Sequence, residues 1–320
     1  MRALITGIGG FVGGHLAPIL EADGAEVWGL DRVALPKGHA AAGAGDRIAI
    51  GDLCDPAVAA GILRMAKPTH VFHLAGSYGL GEDGRPASHD ADIAGFTVLL
   101  EAVAGAVPDA WVMLASSSGV YGAAAALPVA EDAPLAPTTA YGASKVAAEA
   151  IAAGFARDRA LRIVPVRTFN LIGPGIPRRL FAGSFAAQVA AAERGGDAVI
   201  KAGRLDPRRD YVDVRDAVRA YLALARLSGP VPGAYNVCTG ASHSCREIAD
   251  RMIALARVPL TLQLDAARLQ PGDVDEQRGS AARLRAATGW IPEIPFADSV
   301  RDVLDYERNT ATAASPDRAR

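Results

Sequence analysis

This chain of 320 residues has few cysteines, a small net charge and no long apolar run. The three cysteines, Cys54, Cys238 and Cys245, form no CxxC or Cys/His spacing, and the six histidines show no metal-ligand grouping. A disulfide framework and a zinc site are therefore not expected. The formal net charge of -2, with signs interspersed, offers no broad basic field for nucleic acid. No apolar run approaches the ~18 to 20 residues of a membrane span.

The N-terminal segment and the cysteines bear on location. The sequence MRALITG enters an apolar strand at once, with none of the regions of a signal peptide. Unpaired thiols are typical of a reducing compartment. We therefore expect a cytoplasmic protein that binds neither nucleic acid nor membrane.

Short apolar runs alternate with alanine-rich helical stretches through the first half of the chain. The runs cover residues 2–6, 26–30, 47–50, 69–75, 110–116 and 162–169. This alternation predicts βαβ units and a parallel sheet. After Asn170, glycines and prolines break the pattern. The later candidates are helices at 181–193, 214–227 and 245–256 and strands at 198–201 and 235–238.

These patterns predict an α/β protein with a Rossmann-type doubly wound parallel sheet and a smaller mixed C-terminal substrate lobe. The Rossmann domain is placed at 1–170, with strand and helix returns from the C-terminal half. The second lobe is placed mainly at 171–307. Residues 308–320 lack apolar periodicity and are expected to be a disordered tail.

A glycine-rich turn follows the first strand. TGIGGFVG spaces Gly7, Gly10 and Gly13 three apart, with Phe11 and Val12 at the mouth of the first helix. In a strand-to-helix setting, backbone N–H groups and the helix N-terminus can receive a pyrophosphate. The turn therefore predicts a dinucleotide site.

Asp31 ends the second strand, where a carboxylate can accept hydrogen bonds from both hydroxyls of an adenosine ribose. Its charge repels a 2′-phosphate, so NAD(H) is favoured, whereas adjacent Arg32 would support NADP(H) as the alternative. Residues after the third and fourth strands are expected to flank the cofactor. They are Asp52, Leu53, Leu74, Ala75 and Gly76.

The stretch YGASK places Tyr141 and Lys145 four apart at the start of a helix, with the serines of SSSGVYG upstream. At this spacing the two side chains share one helix face. A lysine charge beside a phenol favours the phenolate, so we expect Lys145 to lower the pKa of Tyr141. The pair predicts a proton donor.

Together, the glycine turn, Tyr141-x-x-x-Lys145 and the upstream serine resemble the extended short-chain dehydrogenases/reductases, the NAD-dependent epimerase/dehydratase family. Four later stretches resemble the branch that reduces GDP-4-keto-6-deoxymannose. They are RTFNLIGPG (167–175), RRDYVDVRDAVRAYL (208–222), YNVCTG (235–240) and GSAARLRAATGWIPEI (279–294). The resemblance implies an NAD(P)-dependent oxidoreductase that acts on a nucleotide-linked sugar, with residues 171–307 mainly as the sugar-nucleotide-binding lobe.

The resemblance also implies residue roles. Tyr141 would be the acid/base, Lys145 would lower its pKa and hold the nicotinamide ribose, and Ser117 would hydrogen-bond the reacting oxygen. Asp92 stands where relatives often carry asparagine. The substrate-binding candidates are Ser117, Ser118, Asn170, Arg204, Arg209 and Arg268. A homodimer is implied through helices near 92–106 and 141–157, with Leu99, Val103 and Ile151 as apolar contacts.

A sugar-nucleotide dehydratase needs an additional acid/base pair beside the serine or threonine. In dehydratases of this family an acid lies two places after that residue, often behind a polar one, but this chain has Ser118 and Gly119 there. Two activities stay open: reduction of a 4-ketone by NAD(P)H, favoured by the substrate motifs, and 4-epimerisation with a retained NAD, which Asp31 also fits. A non-catalytic sensor or scaffold is the alternative of another class, and the intact Ser117, Tyr141 and Lys145 argue against it.

Overall fold

The structure, a computed structural model, describes residues 1–36, 38–76, 89–229, 233–265 and 274–313, with side chains up to residue 310. The strands in these residues are β1 (Arg2–Thr6), β2 (Glu26–Asp31), β3 (Ile48–Ile50), β4 (His70–His73), β5 (Trp111–Ser117), β6 (Arg162–Thr168), β7 (Asn170–Ile172), β8 (Val199–Ala202), β9 (Arg208–Asp213), β10 (Tyr235–Val237), β11 (Ser242–Ser244), β12 (Thr261–Leu264) and β13 (Glu276–Gln277). The α-helices are α1 (Phe11–Ala22), α2 (Pro56–Ala66), α3 (His89–Ala106), α4 (Ala140–Arg159), α5 (Phe181–Glu193), α6 (Val214–Ala225), α7 (Cys245–Ala254), α8 (Ala282–Thr288) and α9 (Phe296–Ala313).

Seven strands form one parallel sheet in the order β10-β6-β5-β4-β1-β2-β3. All six strands expected from the first half of the sequence are in it. The strand order reverses beside β1, which is the switch point of a doubly wound sheet, where ligands bind at the carboxyl ends of the strands. The predicted Rossmann-type α/β fold is confirmed.

Alternating side chains of β1 face two separate cores, which explains why the strand is apolar throughout. Ala3 and Ile5 pack on the side covered by α1 and α6, and Leu4 packs on the side covered by α2, α3 and α4. All three are fully buried. Helices therefore cover both faces of the sheet, as a parallel sheet requires.

The C-terminal half divides between the two lobes. Strand β10 joins the main sheet beside β6, and α6 packs against α1, so both are returns to the Rossmann domain. The second lobe holds a small sheet of β7, β9, β11 and β13, a pair of β8 with β12, and a separate core under α5, α7 and α9. Since β7 begins at Asn170, residue 170 stays our proposed domain boundary. In the described part of the chain, no helix is both long and apolar enough to cross a membrane.

Two details differ from the sequence-based expectations. Helix α9 continues to Ala313, and Arg308 forms a buried ion pair with Glu193 at 2.6 Å, so the disordered tail does not begin at residue 308. Residues 314–320 lie outside the described residues. Leu99 and Val103 are fully buried in the chain's own core, so they cannot be the contacts of a dimer.

Candidate active site

The glycine turn between β1 and α1 is too tight for a side chain at two of its glycines. Gly7 has a φ of +74°, and a Cβ there would lie 2.8 Å from the amide nitrogen of Ala75. A Cβ on Gly13 would lie 2.6 Å from the carbonyl oxygens of Gly7 and Ile8. Gly10 precedes α1 and gives its first turn no side-chain cap. The N–H groups of that turn, with the helix dipole, suit a pyrophosphate.

The two residues between Gly10 and Gly13 use their side chains for packing. Phe11 packs against the core of the second lobe, and Val12 packs against the core on the α1 side of the sheet. One turn later, the Nε2 atom of His15 lies 2.9 Å from the carbonyl oxygen of Pro174. Phe11 and Val12 can therefore contact a dinucleotide through their backbone atoms. Both residues lie where α1 contacts the two lobes.

Asp31 lies at the end of β2 and is tied to the glycine turn. Its Oδ2 atom accepts a hydrogen bond from the Gly9 amide at 2.8 Å, and its Oδ1 atom accepts one from the Arg32 amide at 2.8 Å. The side chain of Arg32 is exposed beside it. A carboxylate held here can accept from ribose hydroxyls and repels a 2′-phosphate.

The carboxyl ends of β3 and β4 carry the other cofactor candidates. Asp52 is exposed just after β3, and Leu53 is buried in the core on the α2 side. After β4, the Leu74 amide donates to the carbonyl oxygen of Thr6 at 3.1 Å, and the Ala75 amide donates to its hydroxyl at 3.4 Å. These contacts hold the segment after β4 against the glycine turn.

The three catalytic candidates meet where β5 ends and α4 begins. Ser117 is the last residue of β5, its Oγ atom accepts from the Gly119 amide at 3.1 Å, and it hydrogen-bonds with Tyr141. The Nζ atom of Lys145 lies 5.6 Å from the centre of the Tyr141 ring. The geometry agrees with the predicted arrangement, while the catalytic roles stay a proposal.

Small residues allow α4 to approach the loop after β5. A Cβ on Gly142 would overlap the carbonyl oxygen of Gly119, so only glycine permits this contact. Thr139 caps the helix, since its Oγ1 atom accepts from the Gly142 amide at 3.0 Å. The cap begins α4 at Ala140, one residue before Tyr141, and sets the Tyr141 side chain beside Ser117. A threonine before an alanine-rich run is a cap signal that sequence reading could have used.

Burial dominates the protonation of the pair on α4. Burial raises the pKa of Tyr141, the hydrogen bond from Ser117 opposes this, and the charge of Asp92 raises the pKa further. Burial lowers the pKa of Lys145, and Asp92 opposes that shift. The expectation that Lys145 lowers the pKa of Tyr141 below its ordinary value is therefore wrong for this structure. Desolvation of the phenolate is the largest of the effects on this pKa.

Asp92, in the first turn of α3, lines the same cavity as Lys145. A Cβ on Gly76 would lie 3.3 Å from the Nζ atom of Lys145 and 3.8 Å from the Oδ2 atom of Asp92, so Gly76 lies close to both charges. His73 lines the cavity too, where burial lowers its pKa to about 3. Its Nδ1 atom lies 2.8 Å from the Thr6 hydroxyl, and the ring is neutral at physiological pH.

Three of the substrate candidates, Asn170, Arg204 and Arg209, lie in the second lobe. Asn170 opens β7, which pairs with β9, and Arg209 lies in β9 with its Nη1 atom donating to the carbonyl oxygen of the residue before it at 2.8 Å. Arg204 is exposed and lies 3.1 Å from Asp275. Arg268 lies outside the described residues. Asn170 and Arg209 thus lie in neighbouring strands, whereas Arg204 pairs at the surface.

Ser118 does not present its hydroxyl to a substrate. The residue is 4% exposed, and its Oγ atom donates to the Oε1 atom of Gln277 at 2.9 Å. In return, the Nε2 atom of Gln277 donates to the Ser118 carbonyl oxygen at 2.8 Å. The predicted substrate contact is therefore replaced by a link between the loop after β5 and strand β13. Sequence reading missed Gln277, which is 159 positions away and carries no local signal.

Comparisons with known proteins identify the family of the chain. Residues 4–303 match the family described as GDP-mannose 4,6 dehydratase. The GDP-6-deoxy-D-mannose reductase of Pseudomonas aeruginosa is 35% identical over 312 residues, covering 96% of this chain and 97% of the relative.

Two solved structures share both the fold and the length of the chain. RMD from Pseudomonas aeruginosa complexed with NADPH has a TM-score of 0.81 at 30% identity, covering 97% of this chain and 100% of the other. The UDP-glucose 4-epimerase of Thermus thermophilus in complex with NAD has a TM-score of 0.80 at 30% identity, covering 96% and 99%. The chain belongs to the GDP-mannose 4,6-dehydratase family of the extended short-chain dehydrogenases/reductases.

Proposed function

We propose that this chain uses NAD(P)H to reduce the 4-keto group of a nucleotide-linked 4-keto-6-deoxyhexose, with a GDP-linked sugar as the first candidate. The observation that carries the proposal is the meeting of Ser117, Tyr141 and Lys145 without a carboxylate at the two positions after the serine. Those positions hold Ser118 and Gly119. Dehydration would need a further acid/base there, whereas reduction needs one hydride and one proton. The reductase from Pseudomonas aeruginosa supports the choice of substrate class.

The side chains divide the work of the reduction. NAD(P)H, when bound, supplies the hydride. Ser117 donates a hydrogen bond to the ketone oxygen, and Tyr141 gives that oxygen its proton as negative charge develops on it. Burial keeps Tyr141 protonated at neutral pH, which suits a proton donor. The ammonium of Lys145 then stabilises the phenolate that is left.

The residues around the glycine turn fit a dinucleotide. The N-terminus of α1 suits the pyrophosphate, and the carboxylate of Asp31 suits an unphosphorylated ribose. We therefore propose NADH as the favoured cofactor. NADPH is the alternative, supported by exposed Arg32 and by the structural relative complexed with NADPH.

The test is a matrix of substrates and cofactors. GDP-, UDP- and dTDP-linked 4-keto-6-deoxy sugars are each mixed with NADH or NADPH, and absorbance at the nicotinamide band is followed. We expect oxidation of NADH with at least one of them, fastest with the GDP sugar, and none with the 4-hydroxy sugars. Absence of oxidation in every mixture would reject the reductase.

A nucleotide-sugar 4-epimerase is the second candidate, favoured by Asp31 and by the epimerase relative in complex with NAD. An epimerase returns the hydride to the same sugar and needs no net cofactor. It should therefore be purified with about one NAD bound per chain and interconvert 4-hydroxy epimers without added NADH. The reductase should be purified largely free of NAD and turn over only with added NAD(P)H.

We also propose a homodimer in the cytoplasm. Contacts from the outward faces of α3 and α4 remain candidates, with exposed residues such as Glu101 and Ala150 in place of the buried Leu99 and Val103. Among the described residues, Cys54, Cys238 and Cys245 form no disulfide, which agrees with a reducing compartment. A monomeric mass measured by light scattering at micromolar protein concentration would exclude the proposed dimer.

A further inference from the structure

One face of α4 carries a third ionisable side chain in line with the two catalytic candidates. Tyr141, Lys145 and Glu149 follow one another at a spacing of four residues. They therefore lie one above the next along the helix, with an axial rise of about 12 Å from the first to the last. The proposed reduction uses the first two and leaves Glu149 without a role.

The carboxylate of Glu149 is buried, and both of its oxygen atoms accept hydrogen bonds. Its Oε1 atom accepts from the Ser116 hydroxyl at 2.5 Å and from Nε of Arg167 at 3.0 Å, and its Oε2 atom accepts from Nη2 of Arg167 at 2.7 Å. The side chains of Arg167 and Glu149 are 8% and 9% exposed. A bidentate contact of this kind between a guanidinium and a carboxylate fixes their relative orientation as well as their distance.

Arg167 is itself held from the other side. Its Nη1 atom donates to the Tyr121 hydroxyl and to the carbonyl oxygen of Glu131, both at 2.9 Å. The Tyr121 hydroxyl in turn donates to the Oδ1 atom of Asn236 at 2.7 Å. The guanidinium therefore cannot move toward or away from α4 without breaking contacts to several elements.

The elements that meet at this ion pair are those that build the catalytic site. Ser116 directly precedes Ser117 in β5, and Arg167 is its register partner in β6. Glu149 lies two turns after Tyr141 on α4. A shift of α4 along β5 would therefore break the ion pair and move the phenol away from the serine together.

We propose that Glu149 is a positioning residue, an inference that rests on the proposed reduction. Through Ser116 and Arg167, its carboxylate fixes the position of α4 on β5. That position places Tyr141 beside Ser117 and keeps Lys145 partly buried. Because misplacement by about 1 Å can slow a positioned reaction ~10²-fold, the ion pair governs turnover without touching the substrate.

The alternative is that the pair only stabilises the fold. Buried ion pairs contribute little net stability, and replacing both partners by apolar side chains of similar volume often leaves a protein as stable as before. The double variant Glu149→Leu/Arg167→Met therefore separates the two roles, since it leaves no unpaired charge. The matched control is Glu193→Leu/Arg308→Met, which removes another buried ion pair, 7% and 12% exposed, between α5 and α9.

Two measurements accompany equilibrium unfolding in urea: steady-state kinetics and the pKa of Lys145. With an active substrate, we expect kcat of the Glu149→Leu/Arg167→Met variant to fall ~10-fold or more while KM stays within about threefold, and the control to keep both. Without substrate, ¹³C-labelled lysine is titrated by NMR. We expect the pKa of Lys145 to rise toward its ordinary value because burial, which lowers it, is relieved when α4 shifts.

The outcomes separate this inference from the proposed function. If the wild type reduces none of the sugars, the proposed reaction fails, and the titration of Lys145 alone decides the positioning role. If an active substrate is found, kcat decides. The inference is wrong if a folded Glu149→Leu/Arg167→Met variant has the wild-type value of the deciding quantity, which is kcat with an active substrate and the pKa of Lys145 without one. Should that variant not fold, Ser116→Ala takes its place, with an expected fall in kcat of about threefold and the same criteria.

Discussion

Replacing Gly13 by alanine tests how tightly the dinucleotide turn is built. The new Cβ would lie 2.6 Å from the carbonyl oxygens of Gly7 and Ile8 and 2.7 Å from the Cα atom of Ile8. All three are backbone atoms at the junction of β1 and α1, so none can rotate away. Overpacking of a well-packed site costs about 1 to 3 kcal/mol, and three rigid contacts place this one at or above the upper end.

Helix propensity acts in the opposite direction, because alanine in a helix is favoured over glycine by about 1 kcal/mol. The net expectation is a loss of about 2 kcal/mol in the free energy of unfolding, roughly a 30-fold change in the folding equilibrium. A shifted turn should also weaken NADH binding by about tenfold or more, since the N–H groups no longer converge on one point.

Gly61→Ala is the matched control. Gly61 lies inside α2, and a Cβ there meets nothing within 4 Å, so alanine should stabilise the protein by about 0.5 to 1 kcal/mol. Equilibrium unfolding in urea, followed by circular dichroism, measures both variants, and fluorescence titration measures NADH affinity. If Gly13→Ala proved as stable as Gly61→Ala and bound NADH equally well, the turn would not be as rigid as its contacts indicate.

Three further variants probe the site. Tyr141→Phe should bind NADH as the wild type does while single-turnover reduction slows by ~10² or more, because only the transferred proton is lost; wild-type rates would dismiss Tyr141 as the donor. Asp31→Ser should narrow the preference for NADH in binding titrations, since it removes the charge that faces a 2′-phosphate, and a wild type that already prefers NADPH would contradict this reading. Asp92→Asn should lower the pKa of Tyr141, because the carboxylate raises it. The protonated donor would then be lost at lower pH, so the alkaline limb of the pH–rate profile should move to lower pH, and a limb that stays or moves upward would argue against the coupling.

The main sheet could be predicted well because its strands are short apolar runs that end in glycine or polar residues. Strand β10 was harder to place, since three residues, Tyr235–Val237, carry no sign of which sheet they join. Their partner strand, β6, ends about seventy residues earlier in the chain. The end of α9 was missed for a similar reason: Arg308 is held by Glu193 of α5, and apolar periodicity does not reveal an ion pair.

Sequence-based prediction of the candidate active site succeeded and failed for similar reasons. The glycine spacing and the Tyr141-x-x-x-Lys145 pair are local patterns, and both led to residues that the structure brings to one edge of the sheet. The sign of the pKa shift on Tyr141 was not local, because it depends on how much of the chain closes over the phenol. Glu149 was overlooked because a glutamate on a helix is usually a solvated residue, and only the fold shows Arg167 beneath it.

The reciprocal hydrogen bonds between Ser118 and Gln277 bear on how relatives of this protein could be recombined. Nearby, Val129 and Gly279 form a bridge, with the Val129 amide donating to the Arg278 carbonyl oxygen at 2.8 Å. Both contacts cross the proposed boundary at residue 170. A chimera that joins the cofactor half of one relative to the sugar half of another at this boundary would separate these partners. A chimera that takes residues 276–280 and the loop around Ser118 from the same relative would keep these hydrogen bonds, whichever sugar its second half binds.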